Sequence, residues 1–285
     1  MSERPLKLPS VDQRNRLGQT TLPEDSSCAG GMERSLNGEM SSGSIADQHF
    51  YDDTASFDDV VMSDVAQMCR VYFEKYRGIL EKTFSQRNEI KALELGAGTC
   101  CLGLLLSNFP FIDEIHCLDI SLKKMQELFP LSCRQIVSHS EKLRFVRGDL
   151  GGRLEFEDQS FDLVVSDAAL HHSRSIWTTL AESRRVLKDD GILVCQREAY
   201  LGLLTFRWKL DDLLKSVEVR SGVSENAYLR KQYEYYLKAC GFEVHFLPVA
   251  ESFLQRLLLP LNGWIYSKWV ILAKKKSKPL VGTGN

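Results

Sequence analysis

The sequence predicts an α/β fold around a mostly parallel sheet. Three observations carry that expectation. Short apolar runs alternate with runs of helical periodicity from residue 90 onward, a glycine turn joins the first apolar run to a helix, and an acid closes the second. Strands alternating with helices at this spacing form βαβ units, whose sheet is covered on both faces.

Taken in order, IKALEL (90–95) reads as a buried strand and CLGLLLSNF (101–109) as the helix after it. EIHCLD (114–119) is the second strand, and SLKKMQELF (121–129) follows as a helix with Ser121 as its N-cap. LRFVRGD (143–149) and FDLVVSD (161–167) are the third and fourth strands. IWTTLAESRRVLK (176–188) is a helix that stops before Gly191, and GILVCQRE (191–198) is the fifth strand. Residues 200–240 read as helical throughout, a lid insertion on which substrate choice is expected to rest. FEVHFLPV (242–249) and KWVILAKK (268–275) are two last strands with no regular helix between them, which implies an antiparallel terminal pair.

Ahead of the sheet, Val61, Val65, Met68, Tyr72, Tyr76, Ile79 and Leu80 recur at helical spacing, so one long amphipathic helix is expected there. Residues 1–46 hold no Phe, Tyr or Trp and are crowded with Ser, Gly, Pro and charge. Such a stretch buries too little apolar surface to offset its ordering entropy, so it reads as a flexible N-terminal tail, with one domain over 47–285.

Composition narrows the function. The 285 residues carry 36 Lys plus Arg against 38 Asp plus Glu, a formal charge of −2. That balance offers no basic footprint for nucleic acid and no polybasic membrane anchor. No run approaches the roughly 20 apolar residues of a membrane span, and the first residues lack a basic-then-apolar secretion signal. The eight cysteines, Cys28 among them, include no C-x-x-C pair and no zinc-like histidine spacing. A cytoplasmic chain with reduced thiols and no metal is the expectation, with its oligomeric state open.

ALELGAGTCCLGL (92–104) is the most informative run. Gly96 and Gly98 at a strand-to-helix turn allow a tight bend and close approach of a ligand, and Asp119 can accept hydrogen bonds from both hydroxyls of a ribose. A dinucleotide site wants a third glycine, where this chain has Cys101. Glu94 ahead of the first glycine repels a pyrophosphate and suits a cation. S-adenosylmethionine, with an ammonium, a sulfonium and no phosphate, fits those electrostatics. Plainer uses compete at each position: a structural turn for the glycines, a helix cap for Asp119, a turn acid for Asp149 and core packing for Tyr51 and Phe57.

The string ELGAGT (94–99), Asp119, GDL (148–150) and FDLVVSDAALHH (161–172), in this order, resemble the class I S-adenosylmethionine-dependent methyltransferases. The resemblance runs from about residue 50 to 275 and is strongest to the subgroup that methylates small molecules, where HFYDDTASFDD (49–59) is similar to the usual leading helix. It implies a Rossmann-like, seven-stranded, mostly parallel sheet with an antiparallel terminal strand pair and a helical lid insertion. It also implies that Gly96, Ala97 and Gly98 line the methionine portion, with Glu94 helping to hold its ammonium. Asp119 would bind the ribose, Ile120 would stack beside the adenine, and Asp149 with the Leu150 backbone would hold the adenine edge. Asp167 and Ala168 would face the methyl-transfer zone, and Tyr51 would close over the cofactor. Cys100–Cys101 departs from the small or apolar residues usual after the turn.

Methyl transfer asks mainly for alignment and exclusion of water, with a base where the nucleophile carries a proton. His171 and His172, after the fourth strand, are the candidate bases; packing is their competing use. The expected function is transfer of a methyl group to O, N or C of a small-molecule metabolite. A protein or lipid-like, quinone-type acceptor, or a non-catalytic cofactor-binding regulatory module, are the alternatives.

Overall fold

The computed structural model describes residues 31–35, 42–53, 57–262, 264 and 268–276; Cys28 and most of the expected tail lie outside them. In chain order the elements open with β1 (Gly31–Ser35), α1 (Ser42–Asp53), α2 (Asp59–Phe73), α3 (Arg77–Phe84), β2 (Ile90–Leu95), α4 (Cys101–Leu106), β3 (Ile112–Asp119) and α5 (Leu122–Gln135). They continue with β4 (Leu143–Arg147), β5 (Phe161–Asp167), α6 (Ile176–Val186), β6 (Leu187–Gln196), β7 (Tyr200–Leu201), α7 (Phe206–Leu214) and α8 (Val217–Arg220). Last come β8 (Tyr228–Leu229), α9 (Arg230–Ala239), β9 (Phe242–Pro248), α10 (Phe253–Leu257) and β10 (Trp269–Lys275).

The sheet runs β1-β4-β3-β2-β5-β6-β10-β9. All neighbours are parallel except β10, which is antiparallel to both β6 and β9. The seven expected strands and the antiparallel terminal pair are therefore present. Central strands alternate their side chains between two apolar layers. Ala92, Leu163, Val165, Ile192 and Val194 join one cluster with Met62, Leu80, Leu102 and Met125. Leu93, Val164, Leu193 and Cys195 join the other with Leu180, Tyr233 and Leu237. The chain leaves β2 on one side through β3 and β4, then returns to lay β5 on its other side. Loops diverge at that switch point, opening a crevice beyond the carboxyl ends of β2, β3 and β5.

Several expectations need correction. An eighth strand, β1, pairs in parallel with β4, and α1 begins at Ser42, so the tail expected over 1–46 contains ordered backbone and the 46/47 boundary falls inside a helix. The single long helix breaks into α2 and α3 at Tyr76, whose buried ring turns inward so that its hydroxyl donates to Gln196 Oε1 at 2.9 Å. The helix at 176 ends at Val186, and β6 starts at Leu187 rather than Gly191. The insertion is not wholly helical, because Tyr200–Leu201 pairs in parallel with Tyr228–Leu229.

Candidate active site

Beyond the carboxyl end of β2 the chain must reverse within a few residues, and Gly96 (φ 63°) and Gly98 (φ 45°) supply the left-handed backbone that does it. A Cβ on Gly96 would stand 2.4 Å from the Ala169 methyl, whereas one on Gly98 would meet nothing closer than 4.0 Å. The first glycine permits close packing of the neighbouring loop. The second keeps open the floor of a cavity of about 280 Å³.

Asp119, at the end of β3, fixes the next wall. Its two carboxylate oxygens accept the Gly98 N–H at 2.8 Å and the Ser121 N–H at 2.9 Å. Burial pushes this carboxyl up, while those two backbone donors draw it back. Asp149 follows β4; it accepts the Gly151 N–H at 2.7 Å and the Ser44 hydroxyl of α1. Lys124 reaches in from α5 with Nζ 4.8 Å from the Tyr51 ring centroid and 6.0 Å from that of Phe57. Burial holds its amine below the ordinary lysine value, opposed by the Asp119 charge.

Helix α1 lies across the mouth. Its Asp47 pairs with Arg174 at 2.7 Å, Asp52 accepts from the Ser121 hydroxyl, and the Tyr51 hydroxyl stands 3.2 Å from His172 Nδ1. In the same cavity wall Asp167, closing β5, forms a two-point ion pair with Arg197. Gln196 Nε2 supports the same carboxylate at 3.1 Å. Ala168 (φ 55°) and Arg197 (φ 54°) both hold left-handed backbone outside glycine, a strain that clusters at functional sites.

The two histidines separate. His172 lines the cavity, while His171 is buried behind it. His171 Nδ1 lies 2.8 Å from Oε2 of the fully buried Glu198. His172 Nδ1 lies 2.6 Å from Glu225 Oε2. Burial disfavours the charged His172 ring, yet Glu225 and then Glu198 outweigh it and raise its pKa.

Of the residues expected to hold a cofactor, Tyr51, Gly96, Ala97, Gly98, Asp119, Ile120, Asp149, Leu150, Asp167 and Ala168 all line this one cavity. Glu94 does not. Its carboxylate turns behind the glycine turn and accepts the Gly103 N–H at 3.0 Å inside α4, where a Cβ on residue 103 would come within 2.7 Å of it. Burial, then the Asp167 charge, push it up to about 8. It therefore anchors helix to strand, and any help it gives in holding an ammonium would run through backbone or water, because its side chain does not line the cavity. Residues not anticipated include Lys124, Arg174 and Arg197 in the cavity wall and Glu198 and Glu225 behind the histidines. The Arg197–Glu198 pair directly after a buried strand was the available signal; Glu225 carries none.

The donor set fits an adenosine with a substituent passing over the glycine turn. Two acids at successive strand ends offer acceptors for ribose hydroxyls and an exocyclic amine, and a bare glycine turn leaves room where a side chain would intrude. Residues 93–195 match the family model described as a methyltransferase domain. That stretch, about a third of the chain, is a methyltransferase domain. This domain is 32% identical over 114 residues to the uncharacterized methyltransferase YcgJ of Bacillus subtilis, covering 40% of this chain and 43% of that protein. It is 26% identical over 117 residues to a demethylmenaquinone methyltransferase of Leptospira interrogans, covering 40% and 45%. The chain thus spans less than half the length of these curated relatives. The crystal structure of YcgJ superposes with a TM-score of 0.51 at 19% identity, covering 70% of this chain and 98% of that one, which establishes the shared fold.

Proposed function

We propose that the methyltransferase domain moves a methyl group from S-adenosylmethionine to a nucleophilic O, N or C of a small-molecule acceptor. One observation carries this reading: a single cavity is lined by the glycine turn, Asp119 and Asp149 together with Asp167, Arg197 and His172. Bound there, the cofactor would supply an already activated methyl group on a sulfonium. Asp119 would hold its ribose, Asp149 and the Leu150 backbone its adenine, and the Gly96–Gly98 turn its methionine portion. On the acceptor side, Glu225 holds His172 through Nδ1, which leaves Nε2 to take a proton from the acceptor. His171 is a positioning residue, set by Glu198. Helix α1 would close the mouth and exclude water.

The seven described cysteines are free thiols, which supports a cytoplasmic setting. Among the described residues no helix is long and apolar enough to cross a membrane. Calorimetric titration with S-adenosylmethionine, S-adenosylhomocysteine and NAD in parallel tests the reading. Binding of the first two without NAD is expected; NAD binding, or none of the three, would overturn it.

A lipid-like, quinone-type acceptor is the second reading, favoured by an apolar surface on two touching segments. Leu203, Leu204, Trp208, Leu214 and Val217 are exposed on one, and Phe253, Leu254, Leu257 and Trp264 on the other. The Leu204 N–H donates to the Trp264 carbonyl at 2.8 Å. Exposed apolar surface of this extent marks an interaction site in soluble proteins. Methylation of a long-chain quinol but not of its water-soluble short-chain analogue would support this reading over the first.

A further inference from the structure

We propose that His171, His172 and Glu225 form a binding site for one divalent transition-metal ion of the zinc class at the edge of the cofactor cavity. One ligand atom from each of the three residues lies within 4.8 Å of the others. His171 Nε2 is 3.9 Å from Glu225 Oε1, and His172 Nδ1 is 2.6 Å from Glu225 Oε2. Two imidazoles and one carboxylate are the donor set of open zinc centres, which leave a fourth position for water or substrate. Imidazole donors favour zinc-class ions over magnesium and calcium.

The support behind these donors points the same way. His171 Nδ1 lies 2.8 Å from Glu198 Oε2, which places the proton on Nδ1 and turns the Nε2 lone pair toward Glu225. Glu198 is itself immobilised in the core. It accepts the Ser166 hydroxyl at 3.1 Å and the N–H groups of Ala169 and Leu170 at 3.4 and 3.3 Å. A carboxylate behind the imidazole is the outer-shell arrangement that fixes a metal-ligating histidine. The loop that carries Glu225 is tied to the same turn, because the Asn226 N–H and Nδ2 both donate to the His171 carbonyl, at 2.9 and 3.0 Å.

Of the three ligands, His172 lines the cavity; with its Nδ1 on the ion its Nε2 would carry the proton, so the ion would take the place of that ring as the group that activates an acceptor. On the methyltransferase reading above, an acceptor hydroxyl bound there would lose its proton more readily, with the proton passing to solvent water.

Calorimetric titration of the chelator-treated full chain with zinc chloride tests the site, with magnesium chloride in parallel. One zinc ion per chain and no magnesium is the expected result. Glu225→Gln and His172→Ala should each weaken zinc binding at least tenfold. Glu198→Gln should weaken it by about 10–100-fold through loss of the supporting carboxylate. His139→Ala, whose ring pairs with exposed Glu141, should leave it unchanged. Cobalt in place of zinc should give bands of nitrogen and oxygen ligation without thiolate charge transfer. Absence of stoichiometric zinc binding, zinc binding that survives both Glu225→Gln and His172→Ala, or thiolate bands would each overturn the site. S-adenosylhomocysteine affinity, read on the same samples, separates loss of the metal site from failure of the cofactor site or of folding.

Discussion

Asp167 and Arg197 meet across the carboxyl ends of β5 and β6, with Nε 2.5 Å from Oδ1 and Nη2 2.7 Å from Oδ2. Both side chains are largely buried, so the pair puts a neutral, rigid wall along the cavity. Its geometry depends on Ala168 and Arg197 adopting left-handed backbone just after their strands.

Breaking that pair from one side strands a buried charge. Arg197→Ala should destabilise the protein by about 3–5 kcal/mol in urea unfolding. The double variant Arg197→Ala with Asp167→Ala should cost less than the sum of the two single changes. Strict additivity would mean that the two side chains do not stabilise one another.

Asp119→Ala removes the acceptor of the Gly98 N–H, which is also the residue proposed to hold the ribose. S-adenosylhomocysteine binding should weaken by about 1–3 kcal/mol, the cost of an unmet charged hydrogen bond. Gly98→Val should lose more, since a branched side chain at φ 45° is strained and fills the open floor. Calorimetry on both variants checks this, and wild-type affinity in either would displace the cofactor site.

Most of the sheet was legible because short continuous apolar runs, the glycine turn and the strand-end acids are local signals. Even the role of Glu94 was written there. It shares strand parity with Ala92, which faces the α4 layer, and not with Leu93 and Leu95, which face the other. What escaped was made by tertiary contact. β1 pairs through its backbone and shows no apolar alternation in GMERS. The α2–α3 break exists because Tyr76 finds Gln196, a residue 120 positions away. Glu225 reaches the histidines from inside an insertion whose sequence marks no site. Only the fold brings such residues together.

Glu94 gives a pH signature. Its carboxyl sits at about 8 in the folded protein against an ordinary 4.5, so the native state holds a proton that the unfolded chain releases. Its contribution to stability is full below about pH 4.5, declines as pH rises toward 8 and is gone above that. Across this window the wild type should lose on the order of a few kcal/mol relative to Glu94→Gln, which keeps an acceptor for the Gly103 N–H but cannot ionise. Urea midpoints of both proteins from pH 5 to 9 measure the difference. Parallel curves would place Glu94 in its ionised form throughout.

Helix α1 is held over the cavity by polar contacts rather than by apolar burial: its buried residues are Ser44 and Asp47. Ser44 donates to Asp149, the acid assigned to the adenine, and Asp47 clamps Arg174 through two contacts of 2.7 Å. Closure of this helix should therefore respond to what Asp149 binds. S-adenosylhomocysteine should slow amide hydrogen exchange across residues 42–53 more than in the sheet. Asp47→Ala should raise exchange there and weaken the ligand by about tenfold, near the worth of one charge-assisted pair. Because no core side chain is lost, the global unfolding midpoint should move little. A ligand-independent exchange rate in α1, with unchanged affinity in Asp47→Ala, would show that the helix is fixed scaffold and takes no part in enclosing the cofactor.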